Sequence, residues 1–370
     1  MRVALVGITG FGRTHLTTIR GLEGAELVGT CDLRPPPPEL ATELAGVPHF
    51  AEFDALLRQA APELTVLATP PQTHAELAEL ALTAGSDVLL EKPPVTSIAD
   101  LDRLLAAEQN TGHLVEVGFQ TMGSAALAQL RELVETGELG AIEGIGSYAA
   151  WQRDCAYFGR ADWAGRRVLN GVQVVDGVLS NPFAHSIMNA CALAGTAATA
   201  RAAASVELEL WRANDIESDD TSCLRARFAG APPIVVSGTL CADRILDPVV
   251  LVHGERATAE LAYLTDELTI TYRDGRRTEA RFGRTSQLAN LVAGGRPLCP
   301  LADTRGFTSV LEAIANAAAP NPIPQRFWRQ DGDVRIVDGA AEAVRRAATE
   351  LRLFTELDAT PWTTSPLPAR

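Results

Sequence analysis

Apolar positions open the chain as a short continuous run, Val3-Ala4-Leu5-Val6. The run breaks at Gly7-Ile8-Thr9-Gly10-Phe11-Gly12-Arg13-Thr14-His15 and resumes with helical spacing at Leu16, Ile19 and Leu22. A buried strand, a glycine turn and a helix are the elements this pattern predicts. The alternation continues. Glu26 to Asp32 reads as a second strand, and Pro35 to Pro38 rules out helix and marks a surface connection. Glu39 to Ala45 and Asp54 to Ala60 read as helices, Leu64 to Ala68 as a buried strand, and Thr73 to Ala84 as a helix stopped by Gly85. Asp87 to Leu90 is a further strand, Ser97 to Gln109 a helix and Leu114 to Phe119 the last strand of the series. Near-continuous apolar strands alternating with helices build a parallel sheet covered on both faces. A first domain is expected over residues 1–120.

Residues 121–370 have a different rhythm. Leu208 to Trp211, Cys223 to Phe228, Ile234 to Leu240, Val249 to His253, Thr258 to Tyr263 and Leu268 to Tyr272 are strand-like, several alternating with period two between short polar turns. This predicts a largely antiparallel sheet. The helices Ala125 to Glu135 and Pro182 to Leu193 would pack on one face, leaving the other open for a partner subunit or substrate. An alanine-rich helix, about 338–353, is expected to fold back onto the first domain. The fold class is therefore α/β: a doubly wound parallel sheet followed by an α/β domain with an open-faced, largely antiparallel sheet.

Composition narrows the classes without changing this outline. The 370 residues are 46% hydrophobic and 21% charged, enough apolar material for two cores and no case for general disorder. No apolar run approaches the roughly 20 residues a bilayer span needs, and the N-terminus enters a strand at once, so a cytoplasmic protein is expected with no membrane partner. The net charge of -14, with no basic run to offset it, argues against nucleic acid. Six scattered cysteines with no C-x-x-C pair offer neither a zinc spacing nor a disulfide framework, so no metal is expected.

Candidate chemistry gathers at the strand ends. In a strand-turn-helix, unpaired N–H groups and the macrodipole at the helix start favour a pyrophosphate. Against G-x-G-x-x-G, Gly7 and Gly12 hold the outer positions, Thr9 replaces the middle glycine and Gly10 is displaced by one. Asp32 ends the second strand 20 residues after Gly12, the spacing at which a carboxylate accepts from the ribose hydroxyls of NAD. The alternative for Asp32 is a turn cap. Arg34 keeps NADP open, since a guanidinium accepts a 2′-phosphate, whereas Asp32 repels one. Thr69-Pro70-Pro71-Gln72-Thr73-His74 and Glu91-Lys92-Pro93-Pro94 follow two further strands at the edge where open α/β sheets bind ligands. The cofactor-facing set is thus Gly7, Thr9, Gly10, Phe11, Gly12, Asp32, Arg34, Thr69, Pro70, His74, Glu91 and Lys92. Further on, Trp151, Arg153, Tyr157 and Trp163 combine aromatic faces with a guanidinium, as a substrate wall for a sugar-like or carboxylated ligand requires; a subunit contact is the equal alternative.

The Gly7 to His15 turn, Asp32, Thr69 to His74, Glu91-Lys92-Pro93 and Val117-Gly118-Phe119-Gln120 together resemble the Gfo/Idh/MocA oxidoreductases, a family of NAD(P)-dependent sugar and cyclitol dehydrogenases. The resemblance runs in order through the first domain and continues more loosely to the C-terminus. It implies a Rossmann domain, NAD or NADP as cofactor, a small sugar-like substrate, and a homodimer or homotetramer formed through the second sheet. It also implies that Lys92 is catalytic and that a later Asp-x-x-x-His supplies two more groups. That spacing falls here on Asn181-Pro182-Phe183-Ala184-His185, with asparagine in place of aspartate. Asn181 with Pro182 equally reads as an N-cap followed by proline at the first helical position, and the macrodipole there lowers the pKa of His185. Asp176 is a further carboxylate that the sequence does not place. The function expected is hydride transfer between nicotinamide and a secondary alcohol of a sugar, cyclitol or related polyol, with Lys92, His185 and Asn181 as catalytic and substrate-binding residues. The alternatives are a cofactor-binding sensor or scaffold with little turnover, and an enzyme that uses bound NAD for transient oxidation.

Overall fold

The computed structural model describes residues 1–358 and 360–363 and divides into two compact units. The first comprises Met1–Gly123 and Thr285–Thr304. Its strands are β1 (Arg2–Val6), β2 (Glu26–Cys31), β3 (His49–Phe50), β4 (Leu64–Leu67), β5 (Asp87–Leu90) and β6 (Val115–Val117), all parallel in the order β3-β2-β1-β4-β5-β6. This is the doubly wound Rossmann order, in which the winding reverses between β1 and β4. The helices α1 (Gly12–Gly21), α2 (Phe53–Ala60), α3 (His74–Thr83) and α4 (Ile98–Thr111) connect them. Ser97 caps α4, its hydroxyl accepting from the Asp100 N–H, and Gly112 ends that helix in the left-handed region. The helix expected over 39–45 shrinks to a single turn, Pro38–Leu40, because the proline run fixes its entry and Gly46 its exit.

A segment placed in the second domain by its sequence position joins this first unit. Leu288 and Leu291 enter the core formed by Val3, Leu5, Leu16, Val66 and Leu89. Glu116, fully buried in the middle of β6, accepts from the backbone N–H groups of Leu298 (2.6 Å) and Cys299 (2.7 Å) and from the Gln287 side chain. Burial pushes the Glu116 pKa up, and these donors oppose the shift.

The second unit comprises Ser124–Arg284 and Arg305–Arg370. It opens with α5 (Ala125–Glu135), β7 (Ile142–Gln152) and α6 (Ala184–Ala194), followed by β8 (Ser205–Arg212), β9 (Thr221–Arg227), β10 (Ile234–Thr239), β11 (Cys241–Gly254), β12 (Ala257–Ala262), β13 (Glu267–Tyr272) and β14 (Arg277–Arg281), and α7 (Ala340–Glu350) near its end. The strands lie in the order β14-β13-β12-β11-β7-β10-β9-β8, antiparallel except where β7 meets β10. Both faces of the centre are covered. A Cβ on Gly238 would meet Phe183, just before α6, at 2.7 Å, whereas the neighbouring Ser237 hydroxyl donates to the Val344 carbonyl of α7 at 2.7 Å. Adjacent residues on a strand point to opposite faces, so α6 and α7 lie on opposite sides of the sheet. At its centre the sheet thus carries a helix on each face, and α7 packs on the sheet of its own unit. The small face Ala340, Ala341, Ala343, Val344, Ala347 and Ala348 lets α7 settle on β7, where Gly146 takes the Ala348 carbonyl at a distance no side chain would permit.

Candidate functional site

Register alone lines up the first unit's motifs. Val6 pairs with Cys31 and Leu67, Leu67 with Leu90, and Leu90 with Val117. The next residue of each strand, Gly7, Asp32, Ala68, Glu91 and Gly118, therefore forms one row along the carboxyl edge of the sheet. At the head of that row Gly7 has φ +81°, and a Cβ there would sit 2.6 Å from the Ala68 carbonyl oxygen. Gly12 is tighter, with a Cβ falling 1.8 Å from the Gly7 oxygen. Thr9 and Gly10 are exposed, and a Cβ on Gly10 would meet nothing within 4 Å. The middle fingerprint position tolerates threonine because the crowding falls on its neighbours. Phe11 stands at the N-cap of α1 without a side-chain hydrogen bond, so the helix start keeps no protein cap.

Asp32 is half-buried at the end of β2. Its carboxylate accepts from the Ile8 N–H at 3.1 Å and from the Arg34 N–H at 3.2 Å, which ties strand end to glycine turn; the Arg34 side chain is exposed. These features fit a dinucleotide: an uncapped helix start, a turn stripped of side chains, and a carboxylate at the next strand end. Asp32→Asn keeps an acceptor for Ile8 and removes the charge. It is expected to weaken NADH binding by roughly 10- to 100-fold, the value of about 1.5–3 kcal/mol for a charge-assisted hydrogen bond, and to narrow the gap to NADPH. Titrating both nucleotides by nicotinamide fluorescence checks this; unchanged affinities would remove Asp32 from the site.

The two strand-end loops are braced against each other. His74 is fully buried, with Nδ1 2.8 Å from the Pro93 carbonyl and Nε2 2.8 Å from the Thr69 carbonyl. Burial pushes its pKa down, and the hydrogen bonds to those carbonyls oppose the shift. The Thr73 hydroxyl lies 2.7 Å from that of Thr69 and 2.8 Å from the Pro70 carbonyl. Glu91 is 6% exposed; its Oε1 is 2.8 Å from Nε2 of the equally buried His15, and its Oε2 accepts from the Lys92 N–H at 3.2 Å. His74 and Glu91 brace the two loops from within, and Lys92, Thr69 and Pro70 are half-buried beside them. His15 was not anticipated as Glu91's partner, although its place three residues after Gly12 puts it on the inner side of α1 with Ile19. Gly118 completes the packing, since a Cβ there would approach the Glu91 carboxylate to 2.9 Å.

In the second unit, α6 begins at Ala184 with Phe183 at its N-cap, which corrects the expected start at Asn181 and Pro182. Asn181 lies in the preceding turn, where its carbonyl accepts from Ala184 N–H and its Nδ2 donates to Asp176 Oδ1 at 2.6 Å. The side chain that would cap the helix is turned to a carboxylate instead. Asp176 is the residue the sequence left unplaced. It also accepts from Arg160 at 2.9 Å and from the Gly165 N–H at 2.7 Å. His185 stands in the first turn of α6, half-buried, its ring centroid 6.4 Å from that of Tyr263. The turn rests on Asp219, which sequence reasoning missed. This fully buried carboxylate accepts from the Ser222 hydroxyl at 2.6 Å and from the Val178 N–H at 3.3 Å, and burial pushes its pKa up.

The aromatic and cationic residues before α6 form one stack. The Arg153 guanidinium lies over Trp151 (4.7 Å) and Tyr157 (5.1 Å), and that of Arg160 over Tyr157 (3.9 Å) and Trp163 (4.6 Å). Trp151 meets Phe183 edge-on at 4.8 Å. The stack thus reaches the Asn181 turn through Phe183 and through the Arg160–Asp176 pair. Lys92 belongs to the first unit and this cluster to the second.

Comparison with known proteins agrees with this description. Residues 1–119 match the model of the Gfo/Idh/MocA oxidoreductase family with its NAD-binding Rossmann fold. Inositol 2-dehydrogenase of Salmonella paratyphi B is 27% identical over 144 residues, covering 38% of this chain and 43% of that protein, so the match spans under half of the relative's length. Among solved structures, the WlbA dehydrogenase from Bordetella pertussis, in complex with NADH and UDP-GlcNAcA, superposes with a TM-score of 0.69 at 24% identity, covering 85% of this chain and 94% of that one. An oxidoreductase from Agrobacterium radiobacter, in complex with NAD+, L-tartaric acid and magnesium, gives 0.70 at 16% identity, covering 87% and 98%. These two show a shared fold. Residues 1–119 thus match the NAD-binding Rossmann domain of the Gfo/Idh/MocA oxidoreductase family.

Proposed function

We propose that the protein is an NAD(P)-dependent dehydrogenase acting on a secondary alcohol of a sugar, cyclitol or related polyol, with NAD preferred. The observation that carries this reading is the row at the carboxyl edge, where register sets the glycine turn, Asp32 and the Glu91-Lys92 pair side by side. Gly7, Gly12, the α1 start and Asp32 would hold the dinucleotide, which supplies the hydride acceptor when bound. Lys92 Nζ donates a hydrogen bond to the reacting oxygen and steadies its developing charge. The His185 imidazole accepts the hydroxyl proton. Asn181 cannot titrate; with its Nδ2 on Asp176, its amide is held in one orientation and it positions the substrate. The names of the relatives, dehydrogenases of inositol and of UDP-sugars, support a polyhydroxylated substrate. Six unpaired thiols suit a reducing, cytoplasmic setting, and a homodimer or homotetramer belongs to the same reading. Among the described residues no helix is long and apolar enough to cross a membrane. The test is reduction of NAD or NADP by the purified protein across a panel of aldoses, uronates, sugar phosphates and inositols, read as nicotinamide absorbance. Turnover with at least one polyol is expected; none across the panel, with dinucleotide shown to bind, would sink the reading.

A further inference from the structure

The stack before α6 is not electrically balanced. Arg160 is neutralised by Asp176 at 2.9 Å, and Arg167 is turned inward, its Nη2 donating to the carbonyls of Ile314, Ala315 and Ala317. Arg153 has no such partner among the described residues. Among the described residues its side chain bonds the Gln152 carbonyl at 3.0 Å and the Tyr157 side chain, and it forms no ion pair with a carboxylate. Asp154, next in sequence, is occupied in capping the short helix Cys155–Phe158, where its Oδ1 accepts from the Tyr157 N–H at 2.8 Å.

A half-buried cation without a counter-ion is costly unless something supplies the charge, and a chain with a net charge of -14 has carboxylates to spare. Here the guanidinium is held rather than left to wander. Its backbone N–H is fixed to the Leu240 carbonyl at 3.0 Å, and its guanidinium lies against the rings of Trp151 and Tyr157, with its donors in the plane of the group. A planar fork of this kind matches a carboxylate or a phosphate with two parallel N–H···O bonds. Trp151, which covers one face of Arg153, also touches Phe183, two residues before His185. The fork therefore adjoins the turn that carries Asn181 and His185 within the same unit.

We infer that the substrate carries an anionic group, a carboxylate or a phosphate, received by Arg153 beside Trp151 and Tyr157. The inference rests on the dehydrogenase reading for the word substrate, but the anion site itself does not need turnover. Uronates and sugar phosphates share this chemistry and differ in charge and size, so both are tested.

The experiment titrates the full-length protein, in the presence of NADH, with glucuronate, glucose 6-phosphate and glucose by calorimetry, alongside the turnover panel. The expected result is that at least one anionic member binds about tenfold or more tightly than glucose, the better of the two naming the group. Arg153→Gln should bring that ratio close to one by raising KM far more than it lowers kcat, Arg153→Lys should recover part of it, and NADH affinity should be unchanged in both. Anion-selective binding that depends on Arg153, without turnover of any polyol, would uphold the inference and overturn the dehydrogenase reading. Equal or tighter binding of glucose, or an anion preference that survives Arg153→Gln in a variant with the wild-type circular dichroism spectrum, would overturn the inference whatever the turnover.

Discussion

Lys92→Ala is expected to lower kcat by about 10²–10⁴-fold while leaving NADH affinity within a factor of about two. Lys92 follows the buried Glu91, whose carboxylate is fixed by His15 and by the Lys92 N–H itself. The backbone of the lysine is thus anchored to the brace. A donor to the reacting oxygen acts more strongly as charge develops, so its loss falls on kcat. Lys92→Arg keeps the charge but changes the donor geometry, and should recover little. Steady-state kinetics with the best substrate of the panel, together with NADH fluorescence titration, separate these outcomes. A variant that raises KM alone would make Lys92 a binding residue, and an unchanged kcat would remove it from the chemistry.

The second large effect is expected at Gly12. An alanine there must move either the Gly7 carbonyl, 1.8 Å from its Cβ, or the start of α1, and Gly7 in turn is pressed against Ala68. Neither side is the free end of a flexible side chain. The turn therefore opens, and dinucleotide binding should weaken by more than about 100-fold, the equivalent of roughly 3 kcal/mol, with a lowered melting temperature. Gly21→Ala is the control. It sits at the other end of the same helix with nothing within 4 Å of its Cβ, and is expected to stabilise by about 0.5–1 kcal/mol. If both variants bind NADH as the wild type does, the crowding at Gly12 carries no function.

Local signals were sufficient where one segment answers to its own side chains. The helix predicted over Ala125 to Glu135 and the strand Asp87 to Leu90 match their observed bounds, since each is a periodic run between clear stops. The carboxyl-edge row was also legible, because strands that end in Gly7, Asp32, Ala68 and Glu91 need only be parallel and in register to bring those residues together. That His74 and Glu91 are buried braces was not legible, because a polar residue in a motif looks the same whether it faces solvent or a backbone carbonyl. Only burial separates the two, and burial belongs to the assembled fold.

From its sequence the chain's alternation of apolar strands and helices determined a doubly wound parallel sheet, and its glycines, Asp32 and Glu91-Lys92 fell together at the strand ends. These follow from short-range periodicity and from φ values that few residues adopt. Tertiary structure alone decided that Thr285–Thr304 belongs with the first sheet, because Glu116 must find donors once buried, and those donors lie far along the chain. It alone set α7 on the sheet of its own unit, through contacts between small residues that no single segment advertises. It alone joined Asp176 to Asn181 and, among the described residues, left Arg153 without a carboxylate, since ion pairing depends on where side chains meet in space and sequence spacing does not carry that distance.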